Sequence, residues 1–199
     1  MKNAYCGTYY NEMYLRNLLA RNAAPVFAKK KPAGLLTIWK YHFQDFDFLD
    51  YLEENKSSLL GGCSYEIILE TPLYYQLFYY QKKEVEHVIR EIKSSYLLSE
   101  YAKKDELKEQ IMHLKEKLQS FYILGKEFPH EIGLFLGYPV WDVEGFIKHN
   151  GENYKLCGYW KVYDDLPGAI KKFREYDLLK TESVKRFQQD FERNNHKKI

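Results

Sequence analysis

The 199-residue sequence has few cysteines, and they follow no binding pattern. Cys6, Cys63 and Cys157 are an odd number, lie far apart and form no Cys-x-x-Cys pair. Secreted disulfide scaffolds carry an even set of cysteines, and a local zinc site needs closely spaced ligands. The cysteine content therefore argues against a disulfide framework and predicts a protein of the reducing cytoplasm.

Long apolar runs are also missing. The longest uncharged apolar stretch, Ile132 to Trp141, has ten residues and contains Pro139, whereas a membrane helix needs about 20. The first residues contain no apolar segment of signal-peptide length. We therefore expect a cytoplasmic protein that does not enter a membrane.

An excess of one charge sign is absent too. Thirty Lys and Arg face 28 Asp and Glu, and the sequence pI is about 8.2. Because nucleic-acid-binding domains usually have a pI above about 9, no nucleic-acid partner is expected. Residues 170–199 carry nine basic and five acidic residues, which indicates a solvated basic helix face, with an anionic partner as the alternative.

The common nucleotide and metal motifs are absent. The sequence has no Gly-x4-Gly-Lys-Ser/Thr loop and no strand followed by Gly-x-Gly-x-x-Gly. His130-Glu131 begins like a zinc-protease helix, but the second histidine of that motif is replaced by Leu134. No local metal site is predicted, any metal site would have to be assembled across the fold, and the sequence identifies no cofactor.

The hydrophobic pattern predicts one α+β domain over residues 1–199. We expect about four strands in a largely antiparallel sheet, with helices packed on it. The predicted strands are 34–39, 63–70, 73–80 and 154–163. The predicted helices cover residues 11–22, 130–136, 140–149 and 165–194, the last with a break near Thr181. A further helix is predicted to begin at an Asp45 N-cap and to include Phe46, Leu49 and Leu52.

Residues 82–124 are predicted to form a helical hairpin. The first apolar stripe runs from Val85 to Tyr96, and the second comprises Leu107, Ile111, Leu114, Leu118 and Phe121. The second stripe is a heptad seam about two heptads long. Packing on the sheet is the main interpretation, and a homodimer or other protein contact through these helices is the alternative, so monomer and homodimer both stay open.

Residues 128–163 form the least generic segment of the chain. They contain Pro129-His130-Glu131-Ile132-Gly133, Leu136-Gly137-Tyr138-Pro139, Asp142-Val143-Glu144-Gly145-Phe146-Ile147 and Cys157-Gly158-Tyr159-Trp160-Lys161-Val162-Tyr163. In these four blocks the sequence resembles a bacterial family, common in anaerobic Firmicutes, named domain of unknown function three-seven-nine-three. The likeness continues more weakly at Ala24-Pro25 and Lys31-Pro32-Ala33.

The resemblance implies little about chemistry. Family members are often encoded near flavodoxins and metal-transport proteins, which implies a link to redox or iron physiology. Many members carry additional cysteines where this chain has Ala23 and Leu179. A cysteine-based metal or redox centre is therefore not expected here, and Cys157 is the family-like cysteine that remains.

Eight residues of this segment are candidate ligand-binding residues: His130, Glu131, Gly133, Gly137, Tyr138, Cys157, Trp160 and Lys161. His130 suits a general base, a metal or haem ligand, or an anion clamp, and equally a helix-end hydrogen bond. The glycines suit a close approach to a ligand or to a neighbouring element. Strand alternation predicts that Trp160 and Lys161 point to opposite sides.

Three hypotheses follow. The preferred one is a protein that binds a small molecule, metal or redox cofactor, or a redox partner, near residues 128–163, since pockets combine apolar walls with a few polar groups. The second is an enzyme that uses His130, Glu131 and Cys157 as catalytic groups. The third is an interaction or regulatory module that uses residues 82–124.

Overall fold

The fold combines long helices with short antiparallel strands. The computed structural model describes residues 2–43, 47–92 and 95–196, without the side chains of residues 2–10, 102 and 194–196. The helices are α1 (Lys2–Asn22), α2 (Ala24–Phe27), α3 (Phe48–Leu59), α4 (Lys82–Glu91), α5 (Leu107–Leu124), α6 (Ile132–Phe135), α7 (Val140–Lys148) and α8 (Leu166–His196). The strands are β1 (Ala33–Trp39), β2 (Ser64–Glu70), β3 (Tyr74–Tyr80), β4 (Leu156–Cys157) and β5 (Lys161–Val162). The predicted α+β class is confirmed.

Three strands form an antiparallel sheet in the order β1-β3-β2. A turn at Thr71-Pro72 joins β2 to β3 in an antiparallel hairpin, and β1 pairs along the other side of β3. Successive side chains of β3 point to opposite faces. Phe78 and Tyr80 lie in one core and Leu77 and Tyr79 in a second.

The two cores are covered by different helices. The core around Leu77 and Tyr79 includes residues of α1 and α3, among them Leu15 and Leu52. The core around Phe78 and Tyr80 includes residues of α4, α5, α6 and α7. The sheet is therefore buried on both faces, which accounts for the continuous apolar character of β3.

The predicted fourth strand, residues 154–163, is wrong. Residues 156–162 form a separate two-stranded hairpin of β4 and β5. The amide of Gly158 donates to the carbonyl of Trp160 at 3.0 Å and closes the turn. Gly158 has no room for a Cβ, which would lie 2.3 Å from Cε2 of Phe173. The chain thus reverses where the sequence pattern suggested that it ran straight.

The seam of α5 is buried within the chain. Leu107, Ile111, Leu114 and Leu118 are each at most 7% exposed and belong to the core beneath α4 and α6. This burial supports packing on the sheet for these four residues, whereas Phe121, the fifth residue of the predicted seam, is half-buried. A protein contact through these helices stays a prediction. Tyr96, predicted to extend the α4 stripe, is instead 63% exposed, because α4 ends at Glu91 and Tyr96 begins a short 3₁₀ turn.

Two other helix predictions need correction. The start of α3 is capped by Asp47, whose Oδ1 accepts hydrogen bonds from the amides of Leu49 and Asp50; the predicted cap Asp45, and Phe46, lie outside the described residues. The predicted break near Thr181 is absent from α8. The Thr181 hydroxyl donates to the carbonyl of Asp177 at 2.8 Å, so it is satisfied inside a continuous helix.

Candidate ligand-binding site

The segment from Pro129 to Tyr138 is a single helical turn followed by a reversal. After α6, Gly137 adopts a left-handed φ of +79°, and the amide of Tyr138 donates to the carbonyl of Gly133 at 2.8 Å. A Cβ on Gly133 would lie 2.9 Å from Cγ2 of Val143. Glycine at this position therefore lets α6 lie directly against α7.

A cavity of about 350 Å³ lies between α6, α7 and the β4–β5 hairpin. Most of its wall is apolar or aromatic, and a few polar groups interrupt that wall. The lining residues are Leu35, Phe128, His130, Ile132, Gly133, Leu136, Tyr138, Asp142, Val143, Phe146, Cys157, Gly158, Trp160 and Lys161. Six of the eight predicted ligand-binding residues are among them.

The hairpin places Cys157 and Lys161 side by side. The two residues are directly opposite each other in the β4–β5 pair, and such partners point to the same face with Cβ atoms about 4.5–5.5 Å apart. Trp160, in the turn, lines the same cavity as Lys161. Strand alternation, on which the predicted opposite orientation of Trp160 and Lys161 rests, does not apply, because Trp160 lies outside β5.

Lys161 lines the cavity, and its ammonium contacts one carbonyl oxygen and two aromatic rings. Its Nζ donates to the carbonyl of Gly151 at 2.6 Å and lies 4.7 Å from the ring centre of Tyr154 and 5.6 Å from that of Phe146. Within the described chain no carboxylate forms an ion pair with it. Since an ammonium carries three donors, donors remain for a ligand.

The His130 ring borders the cavity between two other rings. Its centre lies 5.3 Å from that of Phe128 and 5.4 Å from that of Phe146. His130 and Cys157 line the same cavity, but no hydrogen bond joins them in the part of the chain that the structure describes. Cys157 is exposed.

Trp160 is fixed by a buried carboxylate. Its Nε1 donates to Oδ2 of Asp142 at 2.7 Å, and Asp142 is only 3% exposed. Oδ1 of Asp142 accepts the amides of Tyr163 at 2.7 Å and Asp164 at 3.1 Å. The Trp160 ring also stacks on Tyr138, with ring centres 5.3 Å apart, and burial raises the pKa of the Tyr138 phenol.

Glu131 and Gly137 do not line the cavity. Gly137 packs against Pro32, where a Cβ would lie 2.5 Å from Cδ. The buried carboxylate of Glu131 accepts a hydrogen bond from the Tyr101 hydroxyl at 3.1 Å and pairs with Nζ of Lys117 at 2.5 Å. The structure therefore separates Glu131 from His130 and Cys157, its proposed catalytic partners.

The contacts of Glu131 alter the protonation of its neighbours. Burial and the nearby Glu131 carboxylate raise the pKa of the Tyr101 phenol well above its usual range. Burial lowers the pKa of Lys117, but its hydrogen bonds with Glu131 and Glu100 outweigh burial and raise it. Glu131 thus connects the segment from Pro129 to Tyr138 with α5 through its ion pair with Lys117.

The four sequence blocks that build this cavity also carry the family likeness. Residues 19–195 match the family described as "Protein of unknown function (DUF3793)". The chain belongs to this family. No curated protein and no solved structure matches it.

The DUF3793 region contains every element of the cavity, from β1 to the β4–β5 hairpin. Eight of the fourteen lining residues are not among the candidates predicted from the sequence, and two of these eight, Asp142 and Phe146, contact the predicted residues. Asp142 is a lone acid in the apolar stretch from Pro139 to Val143, which was an available signal of a buried, bonded carboxylate. Phe146 had no such signal in the sequence, since its contacts with the His130 ring and the Lys161 ammonium arise from tertiary packing.

The described residues include no group of three or more His, Cys, Asp or Glu side chains placed to hold a metal ion. None of the described helices is both long and apolar enough to cross a membrane.

Proposed function

We propose that this chain binds a small, mainly apolar organic molecule that carries a carboxylate or a similar anionic group. The observation that carries the proposal is the convergence of His130, Cys157, Trp160 and Lys161 on one cavity. Its volume of about 350 Å³ falls in the range of ligand pockets, about 300–1,000 Å³, and its few polar groups among apolar walls are typical of such pockets.

The charge of the ligand follows from the polar groups. The ammonium of Lys161 has no ion-pair partner among the described residues, and the carboxylate of Asp142 is already occupied by three donors. The available charge at the cavity is therefore positive. An anionic group beside Lys161, with an apolar or aromatic body against Trp160 and Tyr138, matches this arrangement.

The test is a calorimetric titration with 2-naphthoate and with its neutral analogue 2-naphthalenemethanol. We expect the wild-type chain to bind naphthoate at least tenfold more tightly than the alcohol, and Lys161→Met to remove that preference. Lys155→Met is the matched control, because Lys155 directly precedes β4 and its Nζ donates to the carbonyl of Asp164, but it does not line the cavity. Equal binding of both probes, or no binding, would contradict the proposal.

Covalent chemistry at Cys157 is the second candidate. Its support is the exposed thiol on the same cavity wall as His130 and opposite Lys161. A nucleophile and its base are expected within hydrogen-bond reach of each other, and no such bond joins His130 to Cys157 among the described residues. Binding without covalent chemistry therefore has the stronger support. If Cys157→Ser leaves naphthoate affinity unchanged, the thiol is not needed for recognition.

A further inference from the structure

Two half-buried lysines that do not line the cavity, Lys31 and Lys180, are close enough to repel each other. Lys31 ends the turn after α2, and Lys180 lies on α8. The Tyr176 hydroxyl donates to the carbonyl of Lys30 at 3.2 Å and ties this turn to α8. Tyr176 and Lys180 are four residues apart and share one face of the helix, which brings Lys180 towards Lys31.

Aromatic rings surround the two ammonium groups. Nζ of Lys31 lies 5.5 Å from the ring centre of Tyr138, and Nζ of Lys180 lies 4.4 Å from that of Tyr159. Cations over ring faces are attracted to them, but a ring does not neutralise a charge. The described residues provide no hydrogen bond or ion pair to Nζ of Lys31.

The acidic residues nearby have other partners. Glu175 pairs with Lys30 at 3.0 Å, and Oδ1 of Asp177 accepts the Tyr159 hydroxyl at 2.8 Å. Asp177 also attracts Lys180, yet burial outweighs this attraction and lowers the pKa of Lys180. Burial, followed by repulsion from Lys180, lowers the pKa of Lys31 to about 8. Two close ammonium groups with too little compensating charge are an arrangement that a bound anion would stabilise.

From this geometry we propose that Lys31 and Lys180 form a second binding site, for a phosphate group, between the turn after α2 and α8. The site is distinct from the cavity, since neither lysine lines it. The phosphate accepts hydrogen bonds from both ammonium groups, as charge-assisted contacts of this kind require. The rings of Tyr138 and Tyr159, over which the two ammonium groups lie, border this site.

The test is NMR of the full chain with its lysines ¹³C-dimethylated, a change that keeps their charge. In chloride buffer we expect the Lys31 signal to titrate with a midpoint near 8. Inorganic phosphate at matched ionic strength is expected to move that midpoint upward by at least one pH unit, because an anion favours the charged form. Lys30, already paired with Glu175, is the internal control.

Variants and vesicles complete the test. Lys180→Met is expected to weaken phosphate binding about tenfold, and Lys180→Arg, which keeps the charge, to preserve it. Vesicles of phosphatidylcholine with and without phosphatidylglycerol distinguish a lipid headgroup from free phosphate as the source of the anion. A Lys31 midpoint that neither phosphate nor anionic vesicles move overturns the proposal, as does an equal phosphate response in Lys180→Met. These outcomes are independent of naphthoate binding in the cavity.

Discussion

At the scale of single residues, Asp142 holds the cavity wall together. Its carboxylate accepts three hydrogen bonds, from the indole of Trp160 and from two backbone amides at the end of the hairpin. All three donors would lose their partner if this side chain were removed. A buried donor without a partner costs about 1–3 kcal/mol.

Asp142→Ala is therefore expected to lower the free energy of unfolding by about 3 kcal/mol, as measured by urea denaturation. Asp177→Ala is the control, since Asp177 is exposed and accepts one hydrogen bond from Tyr159; we expect it to cost less than about 1 kcal/mol. Equal losses in the two variants would show that Asp142 does not organise the wall.

Lys31 gives the stability a pH dependence of known sign. Its pKa is lowered from 10.5 to about 8 in the folded chain. Below the folded pKa the lysine is charged in both states, and its burial destabilises the fold in full. Between about 8 and 10.5 the unfolded chain binds more protons, so this destabilisation fades as pH rises.

Lys31→Met is thus expected to be more stable than wild type at pH 7 in phosphate-free buffer, by at most about 3 kcal/mol. The difference in urea denaturation midpoint between Lys31→Met and wild type is expected to narrow from pH 8 towards pH 10. Lys30→Met, which removes an exposed ion pair on the same turn, is the control and costs less than about 1 kcal/mol. A gap that stays constant from pH 7 to 10 would contradict the assignment of the lowered pKa to Lys31.

At the scale of elements, α5 is a core helix whose apolar seam packs in one core with residues of β2 and α6. Leu114 is 1% exposed within this seam, and Leu124, at the end of the same helix, is 65% exposed. Truncating a buried leucine removes packing contacts and leaves a cavity, which costs about 2–5 kcal/mol.

Leu114→Ala is expected to lower the unfolding free energy by about 3 kcal/mol without a change in oligomeric state. Leu124→Ala is the matched control and is expected to change it by less than about 0.5 kcal/mol. Urea denaturation and light scattering measure the two quantities. If Leu114→Ala changed the molecular mass but barely changed stability, the seam would be a contact between chains.

Elements with a clear period could be predicted from the sequence, and elements defined by tertiary contacts could not. The α5 stripe and the β2–β3 hairpin follow directly from apolar spacing and turn residues. The β4–β5 hairpin was missed because two-residue strands have no period and Gly158 lies among bulky residues. The α8 break was wrongly expected because Thr181 bonds within its own helix.

The same distinction holds for the site. Residue types in the 128–163 segment pointed to six of the cavity residues, since Gly, His, Cys, Lys and aromatic side chains are unusually dense there. The sequence could not separate Glu131 from His130, although they are adjacent. Only the fold shows that Glu131 turns towards Tyr101 and Lys117 on α5, while His130 borders the cavity.

At the scale of the whole molecule, both proposed sites border Tyr138, which lines the cavity and whose ring centre lies 5.5 Å from Nζ of Lys31. One proposed site is the apolar cavity that contains Trp160 and Lys161, and the other is the lysine pair Lys31 and Lys180. The main proposal is that the cavity binds a ligand. The chain's three tryptophans allow a direct test, because Trp160 is 6% exposed, whereas Trp39 and Trp141 are 40% and 47% exposed.

The most direct measurement is the ¹⁵N spectrum of the three indole N–H groups during a titration with 2-naphthoate. We expect the Trp160 signal, whose proton is hydrogen-bonded to Asp142, to shift in a saturable way and the other two signals to stay in place. We also expect Lys161→Met to abolish this shift and Lys155→Met to leave it unchanged. A Trp160 signal that never moves, or a shift confined to Trp39 and Trp141, would contradict the proposed ligand site.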